Sequence, residues 1–257
     1  MFRIFTLLLI ISSFTIASAQ ERKAAFGLQI EPVIPSALFR ISTVETQVGD
    51  VLFTIEPRPG IAYGAMISAN LTPRFTIETG INSLSRDYKV SVIDGDFTKS
   101  LQFKVVNFEM PLNLTYYVRL GPKLYMGHSA GFSFQFLPSN LKTAVDEKDA
   151  SGNTIYKLEQ ISRRRYFMMP AFKGGIRLEF RTENDGYFFI GPTYRLFTVL
   201  YRSQLFYFRG QVDIQNHDVK PIGDYFGITL RYVFPPGDLL VRDKTKDKPS
   251  TRRIRFN

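Results

Sequence analysis

Residues 225–234 read Tyr225-Phe226-Gly227-Ile228-Thr229-Leu230-Arg231-Tyr232-Val233-Phe234. Large apolar side chains alternate in this stretch with small or polar ones, which is the two-residue period of a β-strand. Phe226, Ile228 and Leu230 therefore share one face of the strand, and Gly227, Thr229 and Arg231 share the other. The same alternation recurs along the chain and predicts a series of strands, each with one apolar face and one small, polar face.

Eight segments carry this pattern, and most of them reach the roughly 9–11 residues that a tilted strand needs to cross a bilayer. The predicted strands are residues 26–33, 60–71, 74–90, 101–118, 123–136, 165–180, 187–198 and 224–234. No stretch has the pattern of a long amphipathic helix.

The connections between these segments alternate between short and long. Residues 72–73, 120–122 and 182–186 form tight turns, whereas residues 36–59, 91–100, 137–164 and 200–223 form longer connections that we expect to be polar or irregular loops. Short turns at one end and long loops at the other are typical of outer-membrane barrels, whose short turns are periplasmic. The sequence therefore predicts an all-β fold, an eight-stranded antiparallel up-and-down transmembrane β-barrel with both termini in the periplasm.

Periodicity alone does not say which face is inside, but glycine content does. An eight-stranded lumen is just wide enough to be filled by side chains, so the phenylalanine-rich face would overfill it. We expect the small face inside, with glycines at positions 64, 80, 127, 131, 175, 191 and 227, and an outer aromatic girdle from Phe136, Phe180, Tyr187, Tyr232 and Phe234. The alternative is a secreted soluble barrel, similar to a lipocalin, with the apolar face inward.

The two ends of the chain differ from the segments between them. Arg3, the apolar run of residues 4–11 and Ala17-Ser18-Ala19 together form a signal peptide of residues 1–19, and the run is too short for a transmembrane helix. We assign residues 20–236 to the barrel and residues 237–257 to a basic periplasmic tail. The tail is expected either to be solvated or to contact anionic lipid or a protein partner.

Composition excludes several classes of function. The chain has no cysteine, which excludes a disulfide scaffold and thiolate chemistry. Its net charge of +10 is spread along strands and loops, and an exported protein rarely meets nucleic acid, so we expect no nucleic-acid partner.

Alternation directs eight charged side chains toward the interior. They are Glu31, Glu78, Glu109, Lys173, Arg177, Glu179, Arg195 and Arg231. Buried charges need partners, so we expect a lumen network of ion pairs that holds the strands together. The alternative is that these charges line a narrow conducting or proton-gated pore. We expect Glu109 to be held by at least one of the three arginines.

The histidines give little indication of catalysis or of metal binding. His128 and Ser129 are adjacent in a strand and point to opposite faces, so they do not form a Ser–His dyad. His217 lies beside Asp213 and Asp218, but the spacing matches no recognisable metal site and favours a solvated loop. We expect no enzymatic activity, no cofactor and no metal.

Two features mark the third long connection. Residues 146–153 are polar and rich in turn-forming residues, which suggests the crown of a hairpin above the membrane. Arg163, Arg164 and Arg165 follow near the expected outer interface. They are expected either to bind lipopolysaccharide phosphates through charge-assisted hydrogen bonds or to act as ordinary interface cations.

Residues 225–234 resemble the C-terminal assembly signal of outer-membrane barrels, which implies recognition by the barrel-assembly machinery. The signal ends at Phe234, and a further 23 residues, 235–257, follow it.

Residues 26–234 also resemble outer-membrane β-barrel families of Bacteroidetes, including the PorT-like proteins. The resemblance rests on residues 63–71, on Glu78-Thr79-Gly80-Ile81-Asn82, on residues 108–114 and on residues 127–134. It implies an outer-membrane location and an association with protein secretion.

Two functions follow as hypotheses. The first is a non-enzymatic barrel that acts through its extracellular loops or as a component of an envelope or secretion assembly, with periplasmic or secretion-system proteins and outer-membrane lipid as partners. The second is a narrow pore or small-molecule transporter.

Overall fold

The computed structural model describes residues 24–36, 43–182, 186–197, 201–221 and 223–235. These residues form thirteen strands. The strands are β1 Ala24–Pro35, β2 Val44–Val48, β3 Val51–Asn70, β4 Phe75–Asp94, β5 Phe97–Arg119, β6 Leu124–Phe136, β7 Leu141–Lys148, β8 Thr154–Arg164, β9 Met168–Arg181, β10 Tyr187–Phe197, β11 Tyr201–Arg209, β12 Val212–Val219 and β13 Tyr225–Val233. Within these ranges, no helix is long and apolar enough to cross a membrane.

Eight of the strands close into a ring in the order β1-β13-β10-β9-β6-β5-β4-β3, and β3 pairs with β1 to complete it. Every neighbouring pair is antiparallel. The predicted fold class, an eight-stranded antiparallel barrel, is therefore confirmed. Closure leaves the ring without unpaired edge strands, which is what allows a sheet to sit in a bilayer.

The exterior of the ring is apolar and its interior is polar. On β13, Phe226, Ile228 and Leu230 are exposed, whereas Thr229 and Arg231 are buried. The same exposed apolar surface continues on other strands at Phe26, Leu28, Ile30, Phe108, Met110, Leu112, Phe132, Phe172, Ile176, Leu178, Phe188 and Ile190. A continuous apolar band of this kind faces lipid and not water. The protein lies in the outer membrane, and the soluble alternative is wrong.

The two ends of the barrel are built differently. β1 begins and β13 ends at the same end, where tight turns also join β3 to β4 and β5 to β6. In outer-membrane barrels this end is periplasmic. Residues 183–185 of the predicted third turn, the signal peptide and the tail lie outside the described residues. The opposite, extracellular end carries the remaining five strands.

The long connections are mostly strand and not the polar or irregular loops that we expected, although residues 146–153 do form the tip of a hairpin, as predicted. Residues 36–59 contain β2 and the first part of β3, residues 137–164 form the β7–β8 hairpin, and residues 200–223 form the β11–β12 hairpin. Residues 91–100 are strand except for a tight turn, in which Gly95 has a φ of 58°. Strands β3, β4 and β5 therefore continue well above the membrane.

These extracellular strands form an ordered cap. The upper parts of β2, β3, β4 and β5 make one wall, and a second sheet with the order β12-β11-β8-β7 makes the other. Apolar side chains from both walls pack together between them. The core of the cap includes Val51, Phe53, Ile55, Val90, Val92, Leu101, Phe103, Val105, Leu158, Leu205, Tyr207 and Val219.

Strand β5 passes through both the water-surrounded cap and the lipid-surrounded barrel, and its side chains alternate between two faces in both. In the cap, Phe103 and Val105 point inward and Lys104 points to water. Farther down the same strand, Phe108 points to lipid and Glu109 is buried in the lumen. The apolar face thus changes from the inside to the outside near Val105, because water surrounds the cap and lipid surrounds the barrel.

One part of the predicted aromatic girdle is wrong. Phe180 and Phe234 are exposed on the exterior, but Tyr187 lines the periplasmic mouth of the lumen. Tyr187 has the same parity as Phe189 and Arg195 on β10, and both of those side chains are buried. Phe188 is the residue of this strand end that faces lipid.

Candidate functional site

All eight of the charged residues that alternation directs inward are buried within the barrel. They form layers along the barrel axis. In the lower layer Arg177 makes two hydrogen bonds to the carboxylate of Glu78, one of them 2.9 Å from Nη1 to Oε2. Arg231 Nη1 lies 3.2 Å from the same carboxylate and its Nε donates to Gln29 Oε1 at 3.0 Å. Glu78 therefore joins cations from two different strands.

The upper layer is centred on Arg195, which is 0 % exposed. Its guanidinium binds both oxygens of Glu31, and its Nε donates to Glu109 Oε1 at 3.0 Å. Lys173 Nζ lies 3.7 Å from Glu31 Oε2, and Thr193 Oγ1 donates to Glu31 Oε1 at 2.8 Å. These groups come from β1, β5, β9 and β10, so the layer ties together strands from opposite sides of the barrel.

A polar layer above these two was missed by the sequence analysis. Arg86 Nη2 donates to Asn107 Oδ1 at 3.0 Å, Asn107 donates to Gln135, and Arg86 Nη1 donates to the Gly223 carbonyl at 3.2 Å. The sequence did contain the signal for Arg86, because the alternation that directs Glu78 of β4 into the lumen also directs Arg86 there. This layer lies where the lumen meets the apolar core of the cap.

The periplasmic mouth of the lumen holds the last pair. Arg181 Nε donates to Glu179 Oε1 at 2.6 Å, and the Arg181 guanidinium lies 4.1 Å from the centroid of the Tyr125 ring. A cavity of about 130 Å³ opens at this mouth. Glu179 is almost fully buried while Arg181 is partly exposed, so the pair closes the lower end of the network.

Glycines make room for the charges. A Cβ atom at Gly191 would meet the Cα and Cβ of Arg177, and one at Gly227 would meet the carboxylate of Glu31. The inward glycines thus give the large charged side chains the space that a β-carbon would take.

The interior leaves little space for a substrate. The cavity among Glu78, Lys173, Arg177 and neighbouring lumen residues measures about 10 Å³. That volume is about what a single water molecule requires. Above it, the core of the cap closes the extracellular end with side chains such as Phe53 and Leu158. Chemically, this arrangement can hold strands together by paired charges.

Of the two histidine side chains, the structure describes that of His128. His128 is exposed on the lipid side of β6, and Ser129, which is partly buried, donates from Oγ to the Gly175 carbonyl at 3.3 Å. The side chain of His217 lies outside the described residues. Among the side chains that are described, no group of three His, Asp or Glu residues is arranged to hold a metal ion.

The arginine triplet lies in a second site, on the outside of the cap. Arg163, Arg164 and Arg165 line a pocket of about 520 Å³ together with Arg202 from β11 and Lys220, which follows β12. Arg163 and Arg202 are directly opposite each other in the β8–β11 pair. The triplet is evident from the sequence, but Arg202 and Lys220 are not, because only strand pairing brings them to it.

No family model and no curated protein matches the chain. Three of the solved structures that are similar to it are outer-membrane proteins. The outer membrane protein OprG from Pseudomonas aeruginosa is 11 % identical with a TM-score of 0.48, over 83 % of this chain and 97 % of OprG. The outer membrane protease OmpT from Escherichia coli is 11 % identical with a TM-score of 0.30, over 83 % and 94 %.

A third similar structure, the COG4313 outer membrane channel from Pseudomonas putida F1, is 10 % identical with a TM-score of 0.27, over 85 % of this chain and 97 % of the channel. The placement of this chain in a membrane rests on the apolar exterior of its own barrel.

Proposed function

We propose that this protein is a non-conducting, non-enzymatic outer-membrane barrel that anchors an ordered extracellular cap and acts through the surface of that cap or as a component of an envelope assembly. The observation that carries the proposal is the filled interior. Paired charges occupy the lumen, and the apolar core of the cap lies directly above them. With so little internal space, the surfaces are what remain for interaction.

The cap supports a role in recognition. Its two sheets share a core, so the outward side chains of β8 and β11 have defined positions. A surface held on packed strands presents binding groups more precisely than irregular loops do.

Electrical recording tests the non-conducting part of the proposal. The purified full-length protein is reconstituted in a planar bilayer, with a general porin as the positive control for incorporation. We expect no reproducible conductance steps. Ion-selective steps from the full-length protein would support the second candidate, a narrow pore, which is favoured only by the charged lining of the lumen.

The finer proposal is a role in protein secretion like that implied by the resemblance to PorT-like proteins. Its motivation is the basic C-terminal segment, residues 238–257, whose sequence is suited to an acidic partner. The test is a pull-down from crosslinked envelopes with the full-length chain and with a variant lacking these residues. Periplasmic or secretion proteins retained only by the full-length chain would support the proposal, and identical captures would contradict it.

A further inference from the structure

The basic pocket on the outside of the cap brings several cationic side chains together. Its five cationic side chains are Arg163, Arg164, Arg165, Arg202 and Lys220. They come from the end of β8 and the residue after it, from the start of β11 and from the residue after β12, and pairing of these strands brings them to one place. The pocket therefore requires the folded cap and is not a property of the arginine triplet alone.

The five cations are not equivalent. Arg164 Nη1 donates to the carbonyls of Leu137 and Pro138 at 2.9 and 3.0 Å, so its guanidinium is already used in holding the joint between cap and barrel. Arg202 Nε is 3.9 Å from Asp218, and both side chains are largely exposed.

For Arg163, Arg165 and Lys220, the described part of the chain contains no carboxylate partner within ion-pair distance. The pocket thus has an excess of positive charge. Holding several cations close together costs electrostatic free energy, which an anion in the pocket would recover.

The height of the pocket relative to the membrane indicates the source of the anion. Directly after the triplet, Tyr166 and Phe167 are each 58 % exposed, and Met168 then begins the lipid-facing run of β9. Aromatic side chains at this level mark the membrane interface. The pocket therefore lies at the height of the phosphate groups of the outer leaflet.

We propose that this pocket binds the phosphate groups of an outer-leaflet phosphoglycolipid of the lipid A class, with Arg163, Arg165, Arg202 and Lys220 as the phosphate ligands. Guanidinium groups suit this role because they form paired hydrogen bonds to phosphate oxygens and are more weakly hydrated than ammonium groups. Arg164 acts as a positioning residue that fixes the end of β8, from which Arg163 and Arg165 extend.

The test uses the full-length protein in dodecyl maltoside, titrated with diphosphorylated lipid A and followed by native mass spectrometry. The pocket variant is Arg163→Gln with Arg202→Gln. The control is Lys89→Gln with Lys148→Gln, which removes the same charge from parts of the cap outside the pocket. Heat-modifiable migration of every variant shows that its barrel is folded.

We expect the pocket variant to bind lipid A about tenfold more weakly or worse, the control to bind within about twofold of wild type, and dephosphorylated lipid A to bind poorly to all three. Equal weakening in both double variants would overturn the proposal, because it would indicate attraction by net charge. Competition by inorganic phosphate at concentrations matching lipid A would overturn the lipid assignment, because it would identify a soluble anion as the ligand.

Discussion

Arg195 contacts two carboxylates, Glu31 and Glu109, in a part of the lumen that has no exposure to solvent. The contribution of such a cluster to the stability of the barrel depends on whether every charge in it has a partner. An intact buried ion pair is only weakly stabilising relative to apolar packing, whereas removal of one partner leaves a charge that is neither solvated nor paired. Substitutions in this cluster should therefore report on the integrity of the barrel.

Glu109→Ala should lower the unfolding temperature of the barrel substantially, by a loss of about 3–5 kcal/mol in the free energy of unfolding. The measurement is the temperature at which gel migration changes in detergent. Glu147→Gln is the matched control, because its pair with Lys99 has a Glu147 side chain that is 55 % exposed and should contribute little. Full stability of Glu109→Ala together with loss of a specific biological activity would refute the role of a structural plug.

Gly191→Ala should destabilise the barrel by about 1–3 kcal/mol, because the added Cβ would overlap Arg177 and the neighbouring backbone. Gly174→Ala is the control on the neighbouring strand, since the nearest atom to its Cβ is the Ser129 carbonyl oxygen at 3.8 Å. Thermal unfolding of both variants in detergent makes the comparison. Equal effects would show that interior space around Arg177 is not limiting.

At the scale of elements, the joint between barrel and cap is where β6 gives way to β7 and β8 gives way to β9. The Leu137 amide donates to the Phe167 carbonyl at 2.9 Å, and Arg164 donates to two carbonyls on the same segment. These bonds satisfy backbone groups at the point where the barrel ladder ends. At this joint, the β7–β8 hairpin is therefore held by its chain connections, by the backbone hydrogen bond from Leu137 to Phe167 and by the Arg164 guanidinium.

Arg164→Ala should loosen the β7–β8 hairpin while the barrel stays folded, because it leaves the carbonyls of Leu137 and Pro138 without their donor. We expect faster proteinase K cleavage within residues 141–164 and unchanged heat-modifiable migration. Arg163→Ala, which lacks these carbonyl contacts, should be cleaved at the wild-type rate. Equal protection of Arg164→Ala would mean that the cap core alone fixes the hairpin.

Glu159 should make this hairpin sensitive to acid. Hydrogen bonds from Lys142 at 2.7 Å and Lys157 at 2.6 Å lower the pKa of Glu159 below its ordinary value of 4.5. Because the pKa is lower in the folded state, the pairs stabilise the hairpin above about pH 4.5, and this is lost as pH falls through the lowered pKa. Hydrogen exchange of β7 and β8 between pH 7 and pH 3, corrected for intrinsic exchange, measures the loss.

In the Glu159→Gln variant, the amides of β7 and β8 should be less protected from hydrogen exchange at pH 7 than in wild type. Their protection should also lose most of the pH dependence that Glu159 adds. A wild-type protection that stays constant across the range, or a Gln variant with the same pH profile, would exclude Glu159 as the responsible group.

At the scale of the whole molecule, the barrel and the cap share three strands, but their apolar and polar sides are reversed. The barrel has charges inside and apolar side chains outside, and the cap has the opposite arrangement, with β3, β4 and β5 running through both. The surroundings decide which arrangement is stable, because apolar surface is buried from water in the cap and placed in lipid in the barrel.

The protein should therefore require detergent or lipid for solubility, show a β-rich circular dichroism spectrum in detergent, and migrate differently on a gel before and after boiling. The apolar band around the barrel is the physical reason. Recovery of a soluble, folded monomer without detergent would contradict the membrane placement.

The sequence by itself determined the alternation, the eight barrel strands and the parity that sends Glu31, Glu109 and Arg195 into the lumen. These follow from local rules, because successive side chains of a strand point to opposite faces wherever the strand lies. Arg86 was available from the same rule.

Only the tertiary structure decided what the long connections do. Phe103 and Phe108 are equally apolar and both alternate with polar neighbours, yet Phe103 is buried in a water-surrounded core and Phe108 faces lipid. Whether an apolar face points in or out depends on the surrounding medium and on the opposing sheet, and neither is encoded in the period. The basic pocket joins Arg163 to Arg202 and Lys220 for the same reason, since pairing of strands distant in sequence creates the contact.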